Sequence, residues 1–326
     1  MESKETIEII EKILQIINEN NNFFITGHIR PDPDTIGTEL AMYSWLKRIN
    51  KNAEIIRNDT IPPYLSYMKG FKDIKSKITP GKKYDVGILF DCCDTTRANI
   101  KIDFDSINTL ICIDHHRLNK PLNNRFHLFI DPESSSCAEL LWRIMKHANY
   151  VPTVDEATCL YSGIVSDTGR FQHANTTPDS FNTAAELLKL KIDPVFVYQH
   201  LYGTKSMDTL KLIGLALSTL QVDGHISYLE INNSMYEKLD SVNIDAEEII
   251  TFAGMIPDIK IFILFRELKN DIVKISLRSY NDIDLTKIAY KHNGGGHIHA
   301  AGFQINGSIK DIKTQIISEL KSLYAI

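Results

Sequence analysis

Residues 23–34 read Phe23-Phe24-Ile25-Thr26-Gly27-His28-Ile29-Arg30-Pro31-Asp32-Pro33-Asp34, an apolar run that ends in a histidine and two carboxylates. A strand of that kind delivers hard ligands to its C-terminal tip. In extended backbone, residues two apart project to the same side, so Asp32 and Asp34 can converge on one cation. Pro31 and Pro33 fix φ and hold the residue before each of them extended. Such a cluster of imidazole and carboxylate suits Mg²⁺ or Mn²⁺. The plainer reading is a helix cap, with Asp34-Thr35 starting a helix over 36–49. It accounts for Asp34 but for neither His28 nor Asp32.

Outward from this stretch the pattern recurs. Val86-Gly87-Ile88-Leu89-Phe90 runs straight into Asp91, and Thr109-Leu110-Ile111-Cys112-Ile113 into Asp114-His115-His116. Continuous apolar runs of this length are typical of parallel strands buried on both faces. In open α/β sheets ligands sit outside the carboxyl ends of the strands, so strands that each end in Asp or His point to one shared crest. His127-Leu128-Phe129-Ile130 ends in Asp131 as well, but Asp131-Pro132-Glu133-Ser134 has the character of a turn, and Asp131 is read as structural. Helical periodicity is expected over 6–17, 36–49, 137–147 and 154–165, a short strand over 53–56, and irregular chain over 61–77. Asp167 falls at a helix C-terminus, where a carboxylate opposes the helix dipole and needs a cation to hold it.

Length and composition bound the rest. A chain of 326 residues with 43% hydrophobic and 24% charged residues is expected to form two domains with sizeable cores. Asp193-Pro194 and Gly203-Thr204 mark a change of domain, giving a first domain over 1–190, a linker over 191–206 and a smaller domain over 207–326. The second is expected to contain a helix over 207–220, strands over 225–231, 260–268 and 272–279, and helical stretches over 245–252 and 284–290. Lys269-Asn270-Asp271 joins the last two strands as a hairpin. The fold class is α/β: a mainly parallel sheet flanked by helices, then a mixed sheet, with the active site in the cleft between them. Net charge of −5 argues against a protein that coats duplex DNA. No apolar stretch reaches the length of a membrane span, and the N-terminal stretch lacks the basic-then-apolar layout of a signal peptide, so the expectation is a cytoplasmic protein without a membrane partner. The five cysteines show no paired spacing and are read as buried reduced thiols.

Hydrolysis of a phosphate ester needs charge neutralisation and a nucleophilic hydroxide at neutral pH, both of which two divalent ions supply. His28, Asp32, Asp34, Asp91, His115 and Asp167 suffice as ligands, and a set rich in carboxylates favours Mn²⁺ or Mg²⁺ over Zn²⁺. Asp114 is placed to orient one of the adjacent imidazoles. Further on, Gly294-Gly295-Gly296 followed by His297 lets backbone N–H groups approach a phosphate. The alternative there is a flexible loop. Arg278, at the end of a strand, is either a bidentate phosphate clamp or an exposed edge charge.

Taken in order, Gly27-His28-x-x-Pro31-Asp32-x-Asp34-x-x-Gly37, Asp91, Asp114-His115-His116 and Ser166-Asp167-Thr168-Gly169-Arg170-Phe171 resemble the motifs of the DHH phosphoesterases. Leu277-Arg278-Ser279 and Gly294-Gly295-Gly296-His297 look like the DHH-associated C-terminal domain. The similarity runs through nearly the whole chain and is greatest to the compact nanoRNase and pAp-phosphatase subgroup. It implies one Mn²⁺ near His28, Asp32 and Asp91, and a second near Asp34, Asp91, His115 and Asp167, with Asp91 bridging and Mg²⁺ as a possible substitute. His116, Asp91 and Asp114 would serve catalysis. Arg278, Ser279, Gly294, Gly295, Gly296 and His297 would bind the substrate, a short oligoribonucleotide, pApA or 3′-phosphoadenosine 5′-phosphate, attacked by a two-metal-activated hydroxide. A homodimer is compatible with the resemblance. Thr38, Arg117, Cys92 and Cys93 depart from the common pattern without removing a ligand. The competing expectations are a cyclic di-AMP phosphodiesterase and, from another class, a nucleotide sensor that binds without cleaving. A family II pyrophosphatase shares the first motifs but not the glycine-rich segment.

Overall fold

Alternate residues of the first strand part company: Phe23 and Ile25 enter one core, Phe24 the other. Strands buried on both faces in this way need the covering layers that the computed structural model supplies. It describes the chain except residues 1–2, 96, 99, 101, 108, 118–124, 240–246, 281–282 and 326. The chain forms two compact units, Met1–Thr204 and Lys205–Ile326.

The first unit contains α1 (Lys4–Glu19), β1 (Asn22–Gly27), α2 (Pro33–Arg48), β2 (Asn52–Ile55), β3 (Val86–Phe90), β4 (Thr109–Asp114), β5 (Phe126–Ile130), α3 (Cys137–His147), α4 (Val154–Asp167), α5 (Pro178–Lys189) and α6 (Pro194–Tyr202). All pairings are parallel, in the order β2-β1-β3-β4-β5. The larger core lies between this sheet and α1 to α4, where Ile13, Ile17, Leu40, Trp45, Leu140 and Leu160 are buried. Connecting segments rather than long helices supply the opposite core, with Ile56, Tyr84 and Ile107 packed on Phe24, Leu89 and Leu110.

Glu54 of β2 gathers the long connection to β3. It accepts from Lys75 at 2.8 Å, Thr79 at 3.0 Å, Lys82 at 2.9 Å and Tyr84 at 2.6 Å. That segment, expected to be irregular, holds two short 3₁₀ turns, Pro63–Tyr67 and Phe71–Asp73.

Four expectations are corrected. First, α2 begins at Pro33 and its cap is Asp32, not Asp34: the Asp32 carboxylate accepts from Thr35 N at 2.9 Å, with Pro33 in the first helical position. Second, residues 191–206 are not a plain linker, because Asp193-Pro194 opens α6 as a cap followed by proline, and Val197 and Leu201 are buried in the first core. Third, Cys93 and Cys112 are joined as a disulfide, while Cys92, Cys137 and Cys159 are free and buried. Their neighbouring strand tips bring the two sulfurs together, which spacing along the chain does not show.

The second unit contains α7 (Met207–Leu217), β6 (Gln221–Asp223), β7 (Ile226–Ile231), α8 (Asn233–Tyr236), α9 (Ile250–Ala253), β8 (Ile261–Leu268), β9 (Ile272–Ser279), α10 (Thr286–Lys291), β10 (Gly295–His297), β11 (Ala300–Asn306) and α11 (Ile309–Tyr324). Its sheet runs β10-β11-β9-β8-β7-β6, parallel only between β7 and β8. One face packs on α10 and α11, the other on α7 to α9. Asn270 and Asp271 turn the β8–β9 hairpin with positive φ. Part of the helix expected over 245–252 lies outside the described residues; Ile250–Ala253 is helical. The fourth correction concerns the glycine run. It is not a loose loop, since β10 pairs with β11, and a side chain on Gly296 (φ 143°) would meet Ala300 O at 2.3 Å.

Burial would raise the pKa of Glu54, but its bonds from Lys75, Tyr84, Lys82 and Thr79 outweigh that and hold it at about 2, against an ordinary 4.5. A depressed folded pKa contributes stability that is present above the unfolded value and lost as pH falls through the folded one. Glu54→Gln is therefore expected to cost about 2–3 kcal/mol at pH 7, with the gap from wild type closing between pH 4.5 and 2. Urea denaturation midpoints of both proteins across that range check this.

Candidate metal centre

The sheet order reverses direction between β1 and β3, which are neighbours while β2 lies outside β1. A crevice opens at such a switch point, outside the carboxyl ends of the strands. His28 follows the last residue of β1, Asp91 the last residue of β3, and His115 the last residue of β4. α2 brings Asp32 and Asp34 to the same crest from its first turn, and α4 brings Asp167 as its last residue.

Asp91 is the hub. It is 2% exposed and has left-handed backbone, φ 57°, a strained conformation that persists only where surroundings enforce it. Its Oδ2 lies 3.0 Å from His28 Nε2 and accepts from Thr35 Oγ1 at 3.1 Å. Its Oδ1 lies 3.4 Å from His115 Nε2 and 3.1 Å from His116 Nδ1, yet is a buried oxygen without an aligned hydrogen-bond donor. An orphaned carboxylate oxygen among imidazoles is the observation expected where a cation belongs. Among the described residues, the groups with ligand atoms within 4.8 Å of one another include His28, Asp32 and Asp91, and Asp34, His115 and Asp167. Asp91 also groups with Asp34 and Cys137, and with His115 and His116. The residues fit a pair of divalent cations.

Each ligand has its own support. His28 Nδ1 lies 2.7 Å from the Ile29 carbonyl, which makes it the donor and leaves Nε2 for a cation. The buried Asp34 carboxylate accepts from Cys137 N at 2.7 Å and Ala138 N at 2.9 Å, the first two residues of α3. A helix N-terminus is a natural anion site, and it holds this carboxylate in place. Any side chain at Gly163 of α4 would strike Asp34 Oδ1, at 2.5 Å. Asp167 meets His115 Nε2 at 3.2 Å, the counter-charge its helix terminus requires. Asp114 orients His116, accepting from its backbone N–H and lying 2.9 Å from its Nδ1.

So many carboxylates in one buried place distort their titration. Burial pushes Asp34 well above the ordinary range, with Asp167 and Asp91 adding to it. Burial, with Asp32 and Asp91 nearby, overcomes the pull of His115 and raises Asp167 to about 6. Burial also acts on Asp91, but the surrounding imidazoles of His115, His116 and His28 outweigh it and hold Asp91 well below the ordinary range. Burial disfavours the His28 and His115 cations, yet their carboxylate neighbours win, raising them to about 10 and about 11.

Thr35, which touches both His28 and Asp91, and the α3 N-terminus are absent from a reading of ligand types alone. Thr35 was visible only as part of a cap. The second unit places Arg278, Ser279, Gly294, Gly295, Gly296 and His297 along β9 and its β11–β10 neighbours. Gly295 has open space around its Cα and His297 is exposed, as an approaching anion requires. Arg278 Nη1 donates to the Leu277 carbonyl. Ser279 is buried with its hydroxyl donating to the Ile283 carbonyl at 2.9 Å, which makes it an internal brace instead of an exposed ligand.

The DHH family, N-terminal domain, matches residues 22–164, and the DHHA1 domain matches residues 232–324. The bifunctional oligoribonuclease and PAP phosphatase NrnA of Bacillus subtilis is 26% identical over 96% of this chain and 97% of its own length. The protein of the same name from Thermus thermophilus is 27% identical over 93% of this chain and 89% of its own. The cyclic-di-AMP phosphodiesterase PdeA of Listeria monocytogenes is 24% identical over 97% of this chain, but over only 50% of its own length. Among solved structures, an exopolyphosphatase-related protein from Bacteroides fragilis has the same fold, with a TM-score of 0.76, 26% identity and 97% of each chain covered.

Because Asp91 is common to several ligand groups, its removal should disable the whole centre. Mn²⁺ added to metal-stripped protein at a hundredfold above its Kd is expected to stabilise the fold by about 2.7 kcal/mol for one site. Asp91→Ala should lose that rise in Tm and bind no metal by elemental analysis. Two equivalents retained by the variant would refute the assignment.

Proposed function

This chain belongs to the DHH family and carries a DHHA1 domain, and from that premise we propose that it is a phosphoesterase that hydrolyses short nucleotide substrates. The substrates are dinucleotides such as pApA, other very short oligoribonucleotides, and 3′-phosphoadenosine 5′-phosphate. The observation that carries this reading is the sharing of one buried, incompletely bonded carboxylate, Asp91, among ligand groups at the β1–β3 switch point. The relatives named as oligoribonucleases and PAP phosphatases align with nearly all of this chain, which supports the substrate class.

Two Mn²⁺ ions, or Mg²⁺ in their place, would be held by His28, Asp32 and Asp91 and by Asp34, Asp91, His115 and Asp167. When bound, such ions neutralise phosphate charge and bring water to a nucleophilic state near neutral pH. The protein's own contribution is orientation. His116 is anchored through Nδ1 on Asp114 while its side chain is 57% exposed, so Nε2 is the atom offered to the scissile phosphate. Asp114 keeps that ring in one orientation, a positioning task. Arg278, with the N–H groups of the edge strand Gly295–His297 that do not pair with β11, binds phosphate by charge-assisted hydrogen bonds, the Gly294 N–H being already donated to the Ala289 carbonyl. A net charge of −5 suits a small anionic ligand held by local groups and offers no general attraction to duplex DNA. Among the described residues no helix is long and apolar enough to cross a membrane. The proposed place of action is the cytoplasm.

The Listeria monocytogenes relative gives a second reading a specific basis, hydrolysis of cyclic di-AMP. Turnover on pApA, a short RNA, 3′-phosphoadenosine 5′-phosphate and cyclic di-AMP, each with Mn²⁺ and with Mg²⁺, decides between them. The linear dinucleotide is expected to be cleaved fastest. Asp91→Ala and His115→Ala should lower that turnover by roughly a thousandfold, and His116→Ala by roughly 10²–10⁴-fold. Near-wild-type rates in Asp91→Ala would sink the proposal. Binding of cyclic dinucleotide without any product would favour a sensor.

A further inference from the structure

Beneath the ligands lies a charged group that takes no direct part in the centre. Arg57, two residues beyond β2, is 3% exposed. Its Nη1 donates to Glu39 Oε1 at 2.5 Å and its Nη2 to Asp59 Oδ2 at 3.4 Å, while its Nε lies 3.3 Å from Asp59 Oδ1 without an aligned hydrogen bond. Its Nη2 donates to the main-chain carbonyl of His28. Asp59 completes the circuit, because its Oδ2 accepts from Arg30 N at 2.7 Å. Arg30 has left-handed backbone, φ 56°, so this side-chain bond holds a conformation the chain does not favour by itself.

Glu39 is fully buried, and its Oε2 has no hydrogen-bond partner. Burying such an ion pair is poor value for stability alone, since desolvation offsets most of the attraction. The three directions in which Arg57 donates explain it better. A guanidinium fork can hold a carboxylate, a second carboxylate and a carbonyl together, which an ammonium on a flexible stem cannot. The carbonyl it holds belongs to a proposed cation ligand, and the backbone of the next two residues is held with it: Ile29 N donates to Arg97 O at 2.8 Å.

We propose that Arg57, locked by Glu39 and Asp59, is the positioning residue for His28 and thereby sets the affinity of one of the two cation positions. It acts through the backbone of residues 28–30, fixing where the imidazole stands relative to Asp91 and Asp32. The inference rests on reading His28, Asp32 and Asp91 as a cation group. It deepens that reading by predicting unequal sensitivity of the two positions.

The test is Mn²⁺ binding to metal-stripped full-length protein by calorimetry and equilibrium dialysis, with kcat on pApA measured against Mn²⁺ concentration. Arg57→Met strands Glu39 as an unpaired buried carboxylate, so the informative variant is Arg57→Met combined with Glu39→Gln. Asp59→Asn leaves the Arg57–Glu39 pair in place, removes the second carboxylate charge from Arg57 and loosens the Arg30 end. The double variant should weaken one binding step by about 10- to 100-fold, the usual effect of losing an outer support of a metal ligand, and leave the other unchanged. Its kcat should return to near wild type at saturating Mn²⁺. Asp59→Asn should weaken the same step by less. Equal weakening of both steps would overturn the proposal, because a general loss of stability does that. Two wild-type steps in either folded variant would overturn it too. If the wild-type protein binds two equivalents but hydrolyses no nucleotide, the functional reading falls and the positioning role of Arg57 stands.

Discussion

Carboxylates repel one another, and this protein buries several of them at one end of a sheet. Asp34, Asp91 and Asp114 are each less than 5% exposed, with Asp32 and Asp167 beside them. In a low-dielectric interior that repulsion is large unless each charge has a dedicated opposite. The rest of the first unit reads as the supply of those opposites. The N-terminus of α3 meets Asp34, three imidazoles surround Asp91, and Arg57 offsets Glu39 under the His28 turn. What the protein leaves incomplete, notably Asp91 Oδ1, is the part of the compensation that the proposed cations would bring.

The sheet makes this concentration possible. Parallel strands end on the same side, so one crest collects the residues after β1, β3 and β4 without any loop having to double back. The switch between β1 and β3 then opens a crevice at that crest. α2 and α4 close the floor, at an approach that only glycine at position 163 permits. The left-handed backbone at Asp91 and Arg30 shows where the chain departs from ease to aim these groups.

Much of this was legible beforehand because it is written in local sequence. Apolar runs ending in Asp or His announce a buried strand with a candidate ligand at its tip, so β1, β3 and β4 and the meeting of their tips could be read directly. What escaped depends on partners distant in the chain. Glu39 and Arg57 look like surface charges of a helix and a connection, and only burial shows them as a pair. Asp193-Pro194 reads equally as a break and as the start of a helix, and the outcome for α6 is decided by the core that receives Val197 and Leu201. Cys93 and Cys112 meet because β3 and β4 are adjacent. The glycine triplet suggests freedom, whereas its pairing with β11 turns it into ordered strand.

The bond between Asp34 and the start of α3 has a consequence for how the protein comes into being. Its acceptor and donors are separated by 103 and 104 residues of chain. During synthesis the N-terminal part emerges first, so the opening motif leaves the ribosome long before the helix that neutralises it exists. Asp167 follows later still. The nascent chain therefore passes through a stage that holds the opening motif but no assembled centre, and the proposed capacity to hold divalent ions arrives only when most of the first unit has been made.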